Sequence, residues 1–581
     1  MKGNYGKILK IELNLKKTHM EFPDEDIYKK YIGGKGLGTY LLLKENPQGV
    51  EPLSAENRLI FAIGPVIGTN IWGANRFAAY TKSPLTGFYA ESYTGGKAFI
   101  NFAKTGYDAI IINGKMENFG YLVITDEKVE FVEDEKLKGA DAFETEKILE
   151  ERYKKFNASA ITIGIAGENL VRFAYINNDF GRSLGRTGIG AVMGSKNLKA
   201  IVFYGNSEKE IFSKEVLKEY NKELLQRGKQ LDGFKAYRKY GTSLTVGYTM
   251  KINAFPSEYW HTGSVPFGEE INGDALINTL DVKAESCGYC FIGCTRKSRV
   301  KDGRRRGVLI DGPEYETING FGGLNLVADL REISYINDVC DKLGIDTITA
   351  ANITSFAVEA YKRGKINFKI EYGDVKAIVE LLNLIAKREG VGEVLSYGVK
   401  RAAEELGLEE IAIHVKGLEP PGYDPRVLKG MGLSFGVSDR GACHLRTTFY
   451  KPELAGVISP EEIKGKAELL IEYENRLTIY DTLILCRFFR DIVYYDEIKK
   501  ILYITMGIEY SENRLKEIAK EITDMAREFN LREGMKQPDD DMLPDIFFKN
   551  PFDKNSLTKG EYISLLKDYY RLKNWDIKFN S

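Results

Sequence analysis

Up to about residue 205 the apolar positions fall in short runs separated by turn residues, which is strand spacing. Such runs occupy 8–15, where Ile11, Leu13 and Leu15 alternate with polar residues, then 109–112, 121–125, 129–132, 161–165 and 201–204. Asp126-Glu127-Lys128 reads as the turn of a hairpin between two of them. Glycine is dense here, above all in Gly33-Gly34-Lys35-Gly36-Leu37-Gly38 and across 181–194. From about Ser207 the period becomes helical. The stretches 213–228, 329–344, 346–364, 375–390, 460–480 and 513–531 read as amphipathic helices, several of them closing on glycine. The pattern predicts an α+β chain: a β-rich N-terminal base domain over 1–207, then two mainly α-helical domains over 208–416 and 417–581. No fixed-period repeat is visible, and Asp539-Asp540-Asp541 reads as a solvated acidic loop.

Composition narrows the class. At ~150 residues per domain, 581 residues allow about four domains or fewer large ones. The apolar fraction of 43% suits a globular chain with a sizeable core. With 82 Lys+Arg against 83 Asp+Glu the formal charge is −1, so the basic excess of a nucleic-acid binder is missing. The longest uncharged apolar stretch, 59–75, is too short and too broken by Gly and Pro to span a bilayer. The opening Met1-Lys-Gly-Asn-Tyr-Gly-Lys has no signal-peptide core, so a cytoplasmic protein that engages neither membrane nor nucleic acid is expected. Only four glutamines occur, amid abundant Lys, Glu and Ile, which is thermophile-like usage.

Three of the six cysteines crowd into Cys287-Gly-Tyr-Cys290-Phe-Ile-Gly-Cys294. In a chain without an export signal, that crowding favours a metal site over disulfides. Thiolates at these spacings wrap three corners of an iron–sulfur cube. A zinc knuckle would want a second cysteine pair or a nearby histidine, and no histidine lies between His261 and His414. The fourth ligand is Cys340, Cys443 or Cys486. Neither Gly33–Gly38 nor Gly188-x-Gly190-x-x-x-Gly194 has dinucleotide-loop spacing. What remains around Arg182 and Arg186 is a Gly-rich surface whose N–H groups could hold the phosphates of another cofactor.

The glycine run at 33–38 is followed by Asn75-Arg76-Phe77 and Lys82-Ser-Pro-Leu-Thr-Gly87. Gly185-Arg-Thr-Gly-Ile-Gly-Ala-Val-Met-Gly-Ser-Lys-Asn-Leu-Lys199, the cysteine motif and Gly312-Pro-Glu-Tyr-Glu-Thr317 come next. Gly417-Leu-Glu-Pro-Pro-Gly-Tyr-Asp-Pro-Arg426 and Ser438-Asp-Arg-Gly-Ala-Cys-His-Leu445 complete the series. In this order they resemble the tungsten-containing aldehyde:ferredoxin oxidoreductase family over nearly the whole chain. Its two Asp-x-x-Gly-Leu-Cys/Asp motifs stand here as Asp341-Lys-Leu-Gly-Ile345-Asp346 and Asp481-Thr-Leu-Ile-Leu485-Cys486, with Ile484 in place of glycine.

The resemblance implies a tungsten–bis(pterin) cofactor (tungstopterin) between the base domain and the helical domains. It also implies a [4Fe-4S] cluster on Cys287, Cys290, Cys294 and Cys486. Asp341 and Asp481 would accept hydrogen bonds from the pterin amino-pyrimidine edges, with Ile345, Asp346 and Leu485 beside them. Arg76 would bridge cluster and pterin, and Arg182 would face the cofactor. Carbonyls near Tyr93 and Ser183 would hold a Mg2+ between pterin phosphates. Glu316, with Glu314 as second choice, and His444 would move protons. In a strand the two glutamates would face opposite sides, so only one would reach the metal. Cys340 and Cys443 would be structural, and Glu258-x-x-His261 would carry no interface metal.

The implied reaction is oxidation of a small aldehyde, with water, to a carboxylic acid, and electrons would pass to ferredoxin or a ferredoxin-like subunit. A local basic patch near the cluster could serve as its docking surface. Two other readings compete: a tungsten reductase of the same superfamily acting on carboxylic acids or aromatic acyl-CoA, and a zinc-stapled binding protein. Read alone, Arg76, Glu316 and His444 could equally be an ordinary structural arginine, a salt-bridged carboxylate and a core imidazole.

Overall fold

The short β-rich runs pair into two six-stranded sheets in the computed structural model, which describes residues 2–575. Met1 and 576–581, the outermost residues of the first and third expected domains, lie outside the described residues. The first sheet takes β1 (Ile8–Glu12), β2 (Lys17–Glu21), β3 (Leu59–Ala62), β4 (Phe77–Lys82), β5 (Tyr89–Thr94) and β6 (Ala109–Asn113), in the order β2-β1-β6-β3-β4-β5. The second takes β7 (Gly120–Ile124), β8 (Val129–Glu133), β9 (Ser159–Ile163), β10 (Ile176–Asn178), β11 (Arg182–Leu184) and β12 (Leu198–Phe203). Read from β8, its order is β8-β7-β12-β9-β10-β11, the first sheet repeated strand for strand.

The pairing sense repeats as well. β1 runs parallel to β6 and β7 parallel to β12, and every other pair is antiparallel. The connecting helices recur in the same places. These are α1 (Gly34–Glu45) and α2 (Ala98–Lys104) in the first unit, α3 (Ala142–Arg152) and α4 (Ile189–Ser195) in the second. A duplication is therefore present although no sequence period announces it. What repeats is strand order and pairing sense, and many side-chain patterns satisfy both.

Several boundaries differ from the sequence expectation. The run at 8–15 is a strand only to Glu12, and Leu13–Leu15 turn into a 3-10 helix. The run at 161–165 stops at Ile163, because Gly164 caps a short helix. β3 and β4 escape the alternation rule because they are buried along their whole length.

The C-terminal portion is mainly helical, with α5 (Lys214–Gln230), α6 (Asp232–Tyr240), α7 (Leu330–Leu343), α8 (Thr347–Lys362), α9 (Lys466–Leu483) and α10 (Glu512–Arg532) among its helices. It also holds a small antiparallel sheet that helical periodicity did not anticipate: β13 (Leu280–Glu285), β14 (Thr295–Val300) and β15 (Leu309–Asp311). The loop joining β13 to β14 is the three-cysteine motif. The helix expected at 460–480 starts only at Lys466, after left-handed Gly465. The acidic run is solvated only in part: Asp539 is exposed. Asp539–Asp541 form a 3-10 turn, and Asp541 is fully buried in ion pairs with Lys416 and Arg527. Two buried cations require that carboxylate, which local composition cannot reveal.

Two helix ends set the geometry of the interior. α7 closes on Gly344 (φ 75°) and α9 on Ile484 (φ 62°), both left-handed. Beyond them Ile345 bridges to Ala174 and Leu485 to Ala74, equivalent points of the duplicated base. The fit is tight. A Cβ on Gly164 would stand 2.2 Å from the Leu343 carbonyl oxygen, and one on Gly64 would stand 2.4 Å from that of Leu483. Each unit of the base thus receives one helix end, three residues past an aspartate.

Candidate active site

The edge strands β5 and β11 of the two sheets pack against each other. Over them, between the two helix ends and the cysteine loop, lies a cavity of about 370 Å3. Tyr93 and Ser183 line it from those edge strands, whose outer carbonyls are free of sheet pairing. Asp341, Asp346, Asp481, Leu485, Arg76 and Arg182 line it too, as do Glu314, Glu316, His444 and the four cysteines 287, 290, 294 and 486. Ile345 alone of the expected site residues is not in the lining; its side chain is fully buried in the core. Motifs scattered over more than 400 residues of chain therefore meet in one place.

The two aspartates sit in unlike surroundings. Asp341 has only neutral donors, the Tyr175 hydroxyl at 2.9 Å and Asn337 Nδ2 at 2.7 Å. Burial lifts its carboxyl to about 8. Asp481 instead faces Arg446 Nη1 at 2.8 Å and Arg487 Nη2. Arg446 also pairs with buried Glu91, which Lys35 of the first glycine run reaches at 3.1 Å while holding Asp439 at 2.5 Å. Asp346 accepts from Arg186 Nε at 3.0 Å. Arg446 and Arg487 carried no signal in the sequence beyond adjacency to quoted motifs, and Glu91 and Tyr175 carried none.

Glu316 lies in the helical turn Tyr315–Thr317, which opens a π-helix, so the facing rule of a strand does not apply to it. The two glutamates still point apart. Glu314 caps the turn and accepts from Thr242 Oγ1, whereas Glu316 Oε1 lies 3.6 Å from His444 Nε2. Glu316 Oε2 accepts from Gly422 N at 2.8 Å. Burial raises its carboxyl to about 8, while burial and then Arg186 and Arg440 drive the His444 imidazolium far below its ordinary range. Near neutrality the pair is a protonated carboxyl facing a neutral imidazole, so the shared proton rests on Glu316. Tyr423 packs between Tyr315 and His444, with ring centroids 5.2 and 5.8 Å away.

At the other end, the loop cysteines are half-exposed and Cys486 is buried. Backbone N–H groups approach the sulfurs: Gly96 N to Cys287 at 3.2 Å and Ile292 N to Cys290 at 3.4 Å. Arg76 Nη2 points at Cys486 Sγ from 3.6 Å. Burial raises the Cys290 thiol to about 12 and raises that of Cys294 as well, so these sulfurs need cations before they ionise. Among the described residues no three His, Cys, Asp or Glu side chains are grouped to hold a single metal ion. His261 Nε2 instead faces Glu359 at 3.7 Å. Cys340 and Cys443 do not line the cavity. Cys340 is core, but Cys443 is more than packing. Burial would raise its thiol, yet Arg440, with Nη2 3.0 Å from Sγ, and Arg446 outweigh burial and hold it at about 6.

Buried polar atoms without a partner test what the cavity accepts. Arg76 Nε, Arg446 Nε and Nη2, Arg487 Nη1 and Asp311 Oδ1 are all of this kind. Donors dominate, and such groups are costly unless a ligand completes them. A large anionic heterocycle with a few donors of its own fits that set.

A duplicated base, two aspartate-bearing helix ends and a cysteine loop around one polar cavity define a redox protein built to hold a large buried cofactor. The chain belongs to the aldehyde ferredoxin oxidoreductase family and is an oxidoreductase. The family model for the N-terminal domain matches residues 8–205, and that for domains 2 and 3 matches 215–578. The tungsten-containing aldehyde ferredoxin oxidoreductase of Pyrococcus furiosus is 34% identical over 594 aligned positions, covering 99% of this chain and 97% of the relative. The WOR-like subunit of an aliphatic sulfonate oxidoreductase from the same organism is 31% identical, over 83% and 79% of the two chains. Among solved structures, the active site complex BamBC of benzoyl coenzyme A reductase with 1,5-dienoyl-CoA superimposes with a TM-score of 0.85 at 23% identity, covering 99% of this chain and 95% of the other. That likeness concerns the fold. No helix among the described residues is long and apolar enough to cross a membrane.

Proposed function

We propose that the protein oxidises aldehydes to carboxylic acids and passes the electrons to ferredoxin or a ferredoxin-like subunit in the cytoplasm. The observation that carries this reading is Glu316 meeting His444 inside a cavity that both aspartate motifs and the four cysteines also line. Cys287, Cys290, Cys294 and Cys486 would hold a [4Fe-4S] cluster. Asp341 and Asp481 would receive the two pterins, with Arg76, Arg182, Asp346 and Leu485 around them, and the carbonyls of Tyr93 and Ser183 would take Mg2+. When bound, the tungsten–bis(pterin) group supplies the two-electron chemistry and the cluster passes electrons singly.

The protein's own part is to position and to move protons. The net change, R–CHO + H2O → R–COOH + 2 H+ + 2 e−, releases two protons. Glu316, in the carboxylate form that grows as pH approaches 8, would take one from the hydrating water, with the neutral His444 imidazole facing it. Buried Glu91 fixes Arg446 against Asp481, so the second motif is held in place before any ligand enters.

The test is metal analysis of protein from its native host together with an aldehyde panel and an artificial electron acceptor. Tungsten, about four irons per chain and aldehyde-dependent reduction are expected. Zinc without iron would overturn the reading. Cys486→Ser is expected to lose iron while largely keeping tungsten; unchanged iron content would remove Cys486 from the ligand set.

A further inference from the structure

Arg490 is a cavity-lining guanidinium that neither aspartate motif uses. It is 2% exposed and among the described residues pairs with no carboxylate, since its neighbour Asp491 is held by Lys451 at 2.5 Å. Nη1 donates to the Arg487 carbonyl at 2.7 Å. Nε and Nη2, the edge of the fork that binds a carboxylate side-on, are buried with no partner at hydrogen-bond geometry, and the polar side chains acting on the guanidinium include the Tyr237 and Tyr450 hydroxyls. A buried cation left this way is costly unless a ligand completes it.

Its surroundings are aromatic. The Phe488 ring centroid lies 5.9 Å from the guanidinium carbon and 4.6 Å from the centroid of Tyr237. Tyr450 is stacked on Tyr423 at 4.2 Å and leads to His444, 6.5 Å away. All of these line the cavity. The sequence from one end to the other is thus a proton-moving pair, a flat aromatic passage and an unpaired cation.

We propose that Arg490 is a specificity subsite: it clamps the distal carboxylate of an aldehyde acid whose formyl group meets Glu316 and His444, with Tyr450, Tyr237 and Phe488 enclosing an apolar or aromatic spacer. The proposal rests on the aldehyde-oxidising reading of the site. One fork matches two carboxylate oxygens; a phosphate would leave an oxygen and a charge unmatched.

Two measurements on the cofactor-loaded protein test it. The first compares kcat/KM for 4-formylbenzoate and benzaldehyde. A charge-assisted pair makes the carboxylated aldehyde better by about ten- to a hundred-fold, mainly through KM. That ratio falls toward one in Arg490→Met and is partly kept in Arg490→Lys. The second is calorimetric binding of terephthalate and benzoate, which needs no turnover. Terephthalate is expected to bind at least about tenfold tighter in the natural protein, and this advantage disappears in Arg490→Met. An unchanged substrate ratio, or the same terephthalate advantage in both proteins, overturns the subsite. Inorganic phosphate displacing terephthalate at equal concentration overturns the carboxylate assignment. Turnover of no aldehyde alongside an Arg490-dependent terephthalate advantage would sink the aldehyde reading and leave the anion subsite standing.

Discussion

At the scale of single residues, Glu316 and Ile484 carry the sharpest expectations. The Glu316 carboxyl is raised by burial to about 8, so its proton-accepting form grows as pH climbs through that value. If it acts as base, kcat/KM rises with pH up to about 8 and flattens above. Glu316→Gln should lower turnover by roughly 10²–10⁴-fold with metals retained and abolish that rise. A variant as active as the natural protein would move the role elsewhere. Ile484 is a β-branched residue at φ 62°, where the first motif has Gly344. The strain costs about 1–3 kcal/mol, but the side chain is fully buried, and truncating such a residue costs about 2–5 kcal/mol. Burial outweighs strain, so Ile484→Gly should lower the denaturation midpoint although it restores the family residue. A more stable variant would mean that strain dominates.

At the scale of elements, the duplicated base explains how two distant helices present their aspartates to one cavity. The tight approaches at Gly64 and Gly164 are backbone against backbone, so neither side can yield by rotating a side chain. Gly164→Ala should force the end of α7 outward, cost at least ~1–3 kcal/mol and weaken pterin retention at Asp341 while iron is kept. Gly64→Ala acts on α9, whose end carries Cys486, and should reduce iron as well. Equal iron in the two variants, read by metal analysis, would contradict this division of labour. The helices were legible from their 3.6-residue period. The helical turn at Glu316 and the small sheet within 280–311 were not legible because short segments near the cysteine loop are shaped by tertiary contacts.

At the scale of the whole molecule, buried charge ties the C-terminal segment to the rest. Burial disfavours ionised Asp541, but Lys416 and Arg527 outweigh it and hold its carboxyl below the ordinary range. A lowered folded value means that this stability is present above the usual aspartate range and is lost as acid protonates the group. Asp541→Asn leaves two cations uncompensated and should cost about 3–5 kcal/mol in denaturant unfolding at neutral pH. A loss below 1 kcal/mol would show that the network breaks even. As sequence, the same residue was one of three adjacent aspartates, and nothing local distinguished it from solvated neighbours.

The chain's motifs by themselves determined the family and the chemistry-bearing residue types. Cysteine spacing, glycine runs and paired aspartates are local patterns that a string of residues can display. Tertiary structure alone decided how they combine. It joined the repeated sheets, seated Ile345 in the core, and set Glu316 beside His444. It also clamped the Cys443 thiol with Arg440 and left one edge of Arg490 without a partner. Each of these depends on which distant groups share a low-dielectric interior, and burial and pairing are properties of the folded neighbourhood.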